Sequence, residues 1–163
     1  MIEHKASIHW QFDGGDFRKG RYSRAHTWRF DGGLEVPASP SPHVVPAPWS
    51  EAGAVDPEEA FVAAIASCHM MTFLFLASRA GFLVERYEDD AVGSMVKNEQ
   101  GRWWVNEVVL KPRIVYGGDK RPDATEIAHL HHAAHEERFN PDTGKTDVRV
   151  EAGQRNQATT PEA

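Results

Sequence analysis

The sequence predicts an α+β fold of mainly antiparallel sheets around one long buried helix. Three observations predict it. An uncharged apolar segment, Ala60 to Ser78, is of helix length and follows a strong start signal. Short alternating runs closed by Asp-Gly-Gly turns precede it. Two longer strand-like runs, a second helix signal and a final short run follow it, giving the order ββ(β)–α–ββ–α–β.

Each element has a local reason. Ile8, Trp10 and Phe12 alternate with His9 and Gln11, a strand pattern broken by Asp13-Gly14-Gly15. A second run places Tyr22, His26, Trp28 and Phe30 on one face, turns at Asp31-Gly32-Gly33 and returns through Leu34-Glu35-Val36. Residues 37 to 50 hold Pro37, Pro40, Pro42, Pro46 and Pro48, which fix φ and remove donors, so an extended loop is expected. Asp56-Pro57-Glu58-Glu59 supplies an N-cap, a proline at the first helical position and carboxylates at the positive end of the dipole. The helix should run to about Arg79, stop at Gly81 and be the most buried element. Five alanines, Ser67, His69 and Thr72 dilute it, which favours a core helix over a membrane span. Strands are then expected near Val84 to Val96 and Arg102 to Tyr116, joined at Asn98 to Gly101. Asp123-Ala124-Thr125-Glu126 is a capping box, and Ile127, Leu130 and Ala134 give its helix an apolar stripe. Thr146 to Val150 reads as a last strand. Residues 1–152 are expected to form one domain and 153–163 a flexible tail.

Composition narrows the function classes. The 163 residues suit a single globular domain. With 18 basic and 24 acidic side chains the net charge is −6, which argues against nucleic acid and anionic lipid as partners. The N-terminus shows no signal-peptide pattern, so a cytoplasmic protein is expected. The single cysteine, Cys68, excludes an intrachain disulfide and a multi-thiolate zinc site. No phosphate-binding glycine loop and no GxSxG occurs.

Cys68 is the one strong nucleophile candidate, and its bland reading is a small core residue. It lies roughly 11 residues, about 16 Å, from the helix start, beyond useful reach of the dipole. A thiolate there needs a nearby cation. Candidates cluster at Arg18, Lys19, Arg21 and Arg24 on the early hairpin, where the bland reading is a solvated rim. His69 is a binding candidate, but adjacent helical side chains diverge by about 100°, which disfavours a direct Cys–His dyad. A hydrogen-bonded interior or interface histidine is its simpler reading. His131 and His135 share a helix face at a spacing that suits a metal. The order His132-Ala133-Ala134-His135-Glu136 is not the zincin motif, and a solvated face is favoured; no metal and no cofactor are expected.

The stretch Asp56-Pro57-Glu58-Glu59-Ala60-Phe61-Val62-Ala63-Ala64-Ile65-Ala66-Ser67-Cys68-His69-Met70 resembles the OsmC/Ohr family of osmotically inducible and organic-hydroperoxide-resistance proteins. The likeness extends over about residues 5 to 151. It implies an OsmC-like fold, an intertwined homodimer with active sites at the subunit interface, and thiol-dependent reduction of hydroperoxides, preferably organic. By the resemblance Cys68 matches the peroxidatic cysteine and Glu58 the glutamate that holds the activating arginine. Arg18 is the best match to that arginine, with Arg21 or Arg24 as alternatives. Glu58 is about 15 Å from Cys68 along a straight helix, so it would act through a long arginine or a bend. The family's second, resolving cysteine is replaced by Arg138. A sulfenic acid at Cys68 would then need an external thiol reductant. The expected function is a one-cysteine peroxidase for organic hydroperoxides. The alternative is a catalytically decayed protein of this fold that binds a small apolar or redox ligand at the dimer interface.

Overall fold

The structure is a computed structural model, and it describes residues 1–137 and 146–153. Arg138 and residues 154–163 of the expected tail lie outside the described residues. The chain divides into two compact units, Met1–Ala60 and Phe61–Ala163.

In the first unit, β1 (Ala6–His9), β2 (His26–Phe30) and β3 (Glu35–Ala38) form an antiparallel sheet in that order. Ile8 pairs with Trp28, and Trp28 with Val36. The Asp-Gly-Gly turn closes β2 onto β3, with the Phe30 N–H donating to Leu34 O at 3.0 Å. The strands are shorter than the alternation predicts. Trp10, Phe12 and Tyr22 leave the sheet and gather with Phe17, whose ring lies 4.6 Å from Tyr22 and 5.9 Å from Trp10. Ring-on-ring packing outweighs continued ladder pairing there. The proline-rich loop is tied down by buried Ser39. Its N–H donates to Val55 O at 3.0 Å, and its Oγ accepts the Glu51 N–H at 2.8 Å.

Helix α1 (Pro57–Arg79) starts and stops where its signals say. Asp56 Oδ1 accepts the Glu58 and Glu59 N–H groups at 2.7 and 3.1 Å, and Glu59 Oε2 accepts the Asp56 N–H at 3.2 Å, a reciprocal capping box. At the far end Gly81 takes φ +81°. Its N–H reaches Ser78 O, and the Phe82 N–H reaches Ala77 O, both at 3.0 Å. That left-handed residue is why a glycine stands there.

The second unit holds a long hairpin that is bent in two. The strand expected over Val84 to Val96 is β4 (Leu83–Asp89) plus β5 (Val92–Lys97). The strand expected over Arg102 to Tyr116 is β6 (Trp103–Leu110) plus β7 (Pro112–Gly117). Strand β4 pairs with β7 in one sheet, and β5 pairs with β6 in another. At the break, Asp89 Oδ1 takes the Lys111 N–H at 2.7 Å, so a side chain replaces a ladder bond. Helix α2 (Ala124–Glu137) opens on its capping box, with Glu126 N–H to Asp123 Oδ1 at 2.8 Å. Strand β8 (Asp147–Val150) joins β6 in parallel, Val108 facing Val148, so the sheets are not wholly antiparallel. A parallel partner requires a crossover, and the path through β7 and α2 provides it.

Two apolar clusters hold this unit. Phe73 and Ala77 of α1 pack with Phe82, Tyr116 and with Leu130 and Ala134 of α2. Val62, Ile65 and Ala66 of α1 pack on Val108, Leu110 and Val148. The expectation that α1 is the most buried element is met on one face only. His69, Phe73 and Ala77 are its buried residues, whereas Met71 and Phe75 are 54% and 56% exposed. A helix apolar on every face has only part of that surface covered by its own chain. It is also the one described helix long and apolar enough to cross a membrane.

Candidate thiol site

Cys68 sits at mid-helix in α1, half-buried and free. Four residues on, Thr72 Oγ1 donates to the Cys68 carbonyl at 3.0 Å, a back-bond that holds this turn. The stripe His69, Phe73 and Ala77 lies on the adjoining face, at helical spacing, and faces α2.

His69 is wholly buried, and its Nε2 lies 3.1 Å from His131 Nδ1, with the two rings stacked at 5.4 Å. Phe73 stacks on the His131 ring at 4.4 Å. Burial pushes the His131 imidazole down to about 4, so it is neutral near pH 7. From the sequence, His131 is expected on a solvated face with His135 or, less simply, at a metal. The structure pairs it with His69 in the core. Its signal was present: the apolar stripe Ile127, Leu130, Ala134 runs along the same face of α2. Among the described residues no three His, Cys, Asp or Glu side chains are grouped to hold a metal.

The candidate cations belong to the first unit. Arg18 lies in a single 3₁₀ turn, Phe17–Lys19. The turn is closed by reciprocal Asp16–Arg21 backbone bonds of 2.8 and 2.9 Å. Gly15, with φ +99°, shapes this loop: a Cβ there would come within 2.1 Å of Arg21 O. Arg24 is committed to the loop itself. Its Nη1 donates to Gly20 O at 3.0 Å and Tyr22 O at 2.8 Å, and its guanidinium lies 4.0 Å over the Tyr22 ring. Arg18 and Arg21 are exposed, and among the described residues neither guanidinium has a hydrogen-bonded or ionic partner. The geometry thus separates one structural arginine from two uncommitted ones.

Glu58 is half-buried in the first turn of α1, next to the capping Asp56. Burial lifts the Glu58 carboxyl above its ordinary value, and the neighbouring Asp56 carboxyl lifts it further. For Asp56 burial works upward, but hydrogen bonds from the Glu58 side chain and from the Glu59 and Glu58 N–H groups outweigh it and hold it low. The two carboxyls are thus shifted apart, Glu58 upward and Asp56 downward.

Residues 50–152 match the family described as OsmC-like protein. The chain belongs to the OsmC-like family. An OsmC-like protein of unknown function from Vibrio cholerae is 47% identical, covering 93% of this chain and 99% of that one, with a TM-score of 0.89. An organic hydroperoxide resistance protein from Legionella pneumophila superposes with a TM-score of 0.69 at 20% identity, covering 93% and 97%. One from Bacillus subtilis gives 0.64 at 22% identity, covering 93% and 98%. The last two likenesses show the shared fold. No curated protein matches the chain. Within this OsmC-like chain the family match takes in Cys68, Glu58 and helix α2, while Arg18, Arg21 and Arg24 precede it.

Proposed function

We propose that this OsmC-like protein is a one-cysteine peroxidase that reduces organic hydroperoxides in the cytoplasm. The observation that carries the proposal is the placement of Cys68. A half-buried thiol stands in the family's helix, ten residues after Glu58, and the first unit separately carries two uncommitted arginines. Residues 1–152 act as one OsmC-like domain, and two copies form the working homodimer, each covering the open face of the other's α1.

In the reaction, the Cys68 thiolate attacks the terminal oxygen of a hydroperoxide. The O–O bond breaks, the sulfur is oxidised to a sulfenic acid, and the alkoxide leaves as an alcohol after taking a proton. One external thiol then condenses with the sulfenic acid, releasing water and forming a mixed disulfide. A second thiol displaces Cys68 and carries off the disulfide. The chain holds no second cysteine, so both reducing thiols come from outside. Arg18 supplies the positive charge beside the thiolate, with Arg21 as the neighbouring alternative. Glu58 orients that arginine, and a guanidinium close by would lower its raised carboxyl. Exposed Met71 and Phe75 offer apolar surface to an organic substrate over hydrogen peroxide.

Mixing the protein with cumene hydroperoxide and dithiothreitol tests the proposal. Peroxide should disappear with repeated turnover in the native protein and at the background rate in Cys68→Ser. Equal rates in the two would overturn it. The second reading, a decayed member that binds an apolar or redox ligand, is favoured by the lone cysteine. It would follow from a Cys68 thiol no more reactive than free cysteine.

A further inference from the structure

A cavity of about 590 Å³ opens between β7 and α2 in the second unit. Pro112, Ile114 and Tyr116 form its strand wall, and Ile127, Ala128 and His131 its helix wall. The volume lies within the range of small-molecule sites, about 300–1,000 Å³. Two of these side chains are more than nine-tenths buried and carry a polar atom without a hydrogen-bond partner among the described residues. They are Tyr116, 6% exposed, through Oη, and His131, 5% exposed, through Nε2. Leaving one buried polar group unsatisfied costs about 1–3 kcal/mol, and here one such group stands on each wall of the same cavity.

We propose that this cavity is a binding site for a small neutral molecule with an apolar body and a carbonyl-type acceptor, which takes a hydrogen bond from Tyr116 and contacts His131. The charge pattern selects the class. Among the described residues, Asp123 is the one formally charged residue on the wall, and its Oδ1 already accepts the Glu126 N–H. An anionic ligand would meet that carboxylate with no cation among the described wall residues to offset it. A cation would find its one carboxylate, Asp123, on the exposed side and would otherwise bury its charge against proline, isoleucine and alanine. The Tyr116 hydroxyl stays protonated, because burial lifts it to about 12, and it is available as a donor at any physiological pH. His131 is anchored from its far side by His69, so its ring is fixed before a ligand arrives. The site uses neither Cys68 nor the arginines, and it stands whether or not the protein reduces peroxides.

Titration of the full chain with 4-fluorobenzophenone, a neutral diaryl ketone, followed by fluorine NMR, tests this. Saturable binding of one molecule per chain is expected, unchanged in Cys68→Ser. Ala128 is exposed on a helix, so Ala128→Trp should fold normally and fill the cavity, weakening binding at least tenfold. Tyr116→Phe keeps the ring and removes the donor, and should weaken binding about fivefold without lowering the melting temperature. Non-saturating binding would overturn the proposal. So would full-strength binding in Ala128→Trp, or binding lost in Phe75→Asp and kept in Ala128→Trp, which would place the ketone on the open face of α1.

Discussion

At the level of single residues, the structure separates arginines that the sequence cannot tell apart. Arg24 folds its own loop through two carbonyls and the Tyr22 ring, whereas Arg18 is uncommitted. Arg24→Ala should therefore lower the melting temperature, while Arg18→Ala should melt like the native protein and lose most peroxide turnover. Thermal melts and cumene hydroperoxide assays on both variants check this, and the reverse pattern would exchange their roles. His131 gives a pH prediction. Its folded-state value is pushed down to about 4 from an ordinary 6.5, so the unfolded chain binds the proton that the folded chain excludes. The stability this contributes is complete above pH 6.5 and is lost as pH falls towards 4, a loss of about 3 kcal/mol. Denaturant unfolding at pH 6.5 and 4 should show that fall in the native protein and a smaller one in His131→Phe. The motif made Cys68 legible at once. The His69–His131 pair was not, because its partners are 62 residues apart and no local pattern joins them.

At the scale of elements, legibility follows locality. The ends of α1 and the start of α2 were readable because a cap or a left-handed glycine acts within one turn. Asp56→Ala should cost about 1 kcal/mol by removing the acceptor for two N–H groups. Gly81→Ala should cost about 1 kcal/mol by forcing a Cβ into φ +81°. Urea unfolding measures both, and a neutral result at either would show that the turn is held by something else. The bend in the long hairpin was not readable. It depends on Asp89 reaching Lys111 across 22 residues, while the hydrophobic pattern runs through the break without interruption. The parallel register of β8 was hidden for the same reason: its partner strand lies far away in sequence.

At the scale of the whole molecule, the α+β fold and the family were legible because the start motif, the apolar run and the cysteine fall in register over one helix. The extent to which that helix would lie open on its own chain was not. A uniformly apolar sequence says that a helix wants cover, not which chain supplies it. With Met71 and Phe75 exposed, the chain should sediment at twice its own mass, and Phe75→Asp should sediment as a single chain with its fold intact. A native protein sedimenting as one chain would contradict the homodimer. The central claim is that Cys68 is a stabilised thiolate rather than an inert core residue. The most direct measurement is its rate of alkylation by iodoacetamide as a function of pH. A midpoint at least one unit below the value of about 8.5 for a free thiol is expected, moving back up in Arg18→Ala. A midpoint at or above 8.5 in the native protein would contradict it.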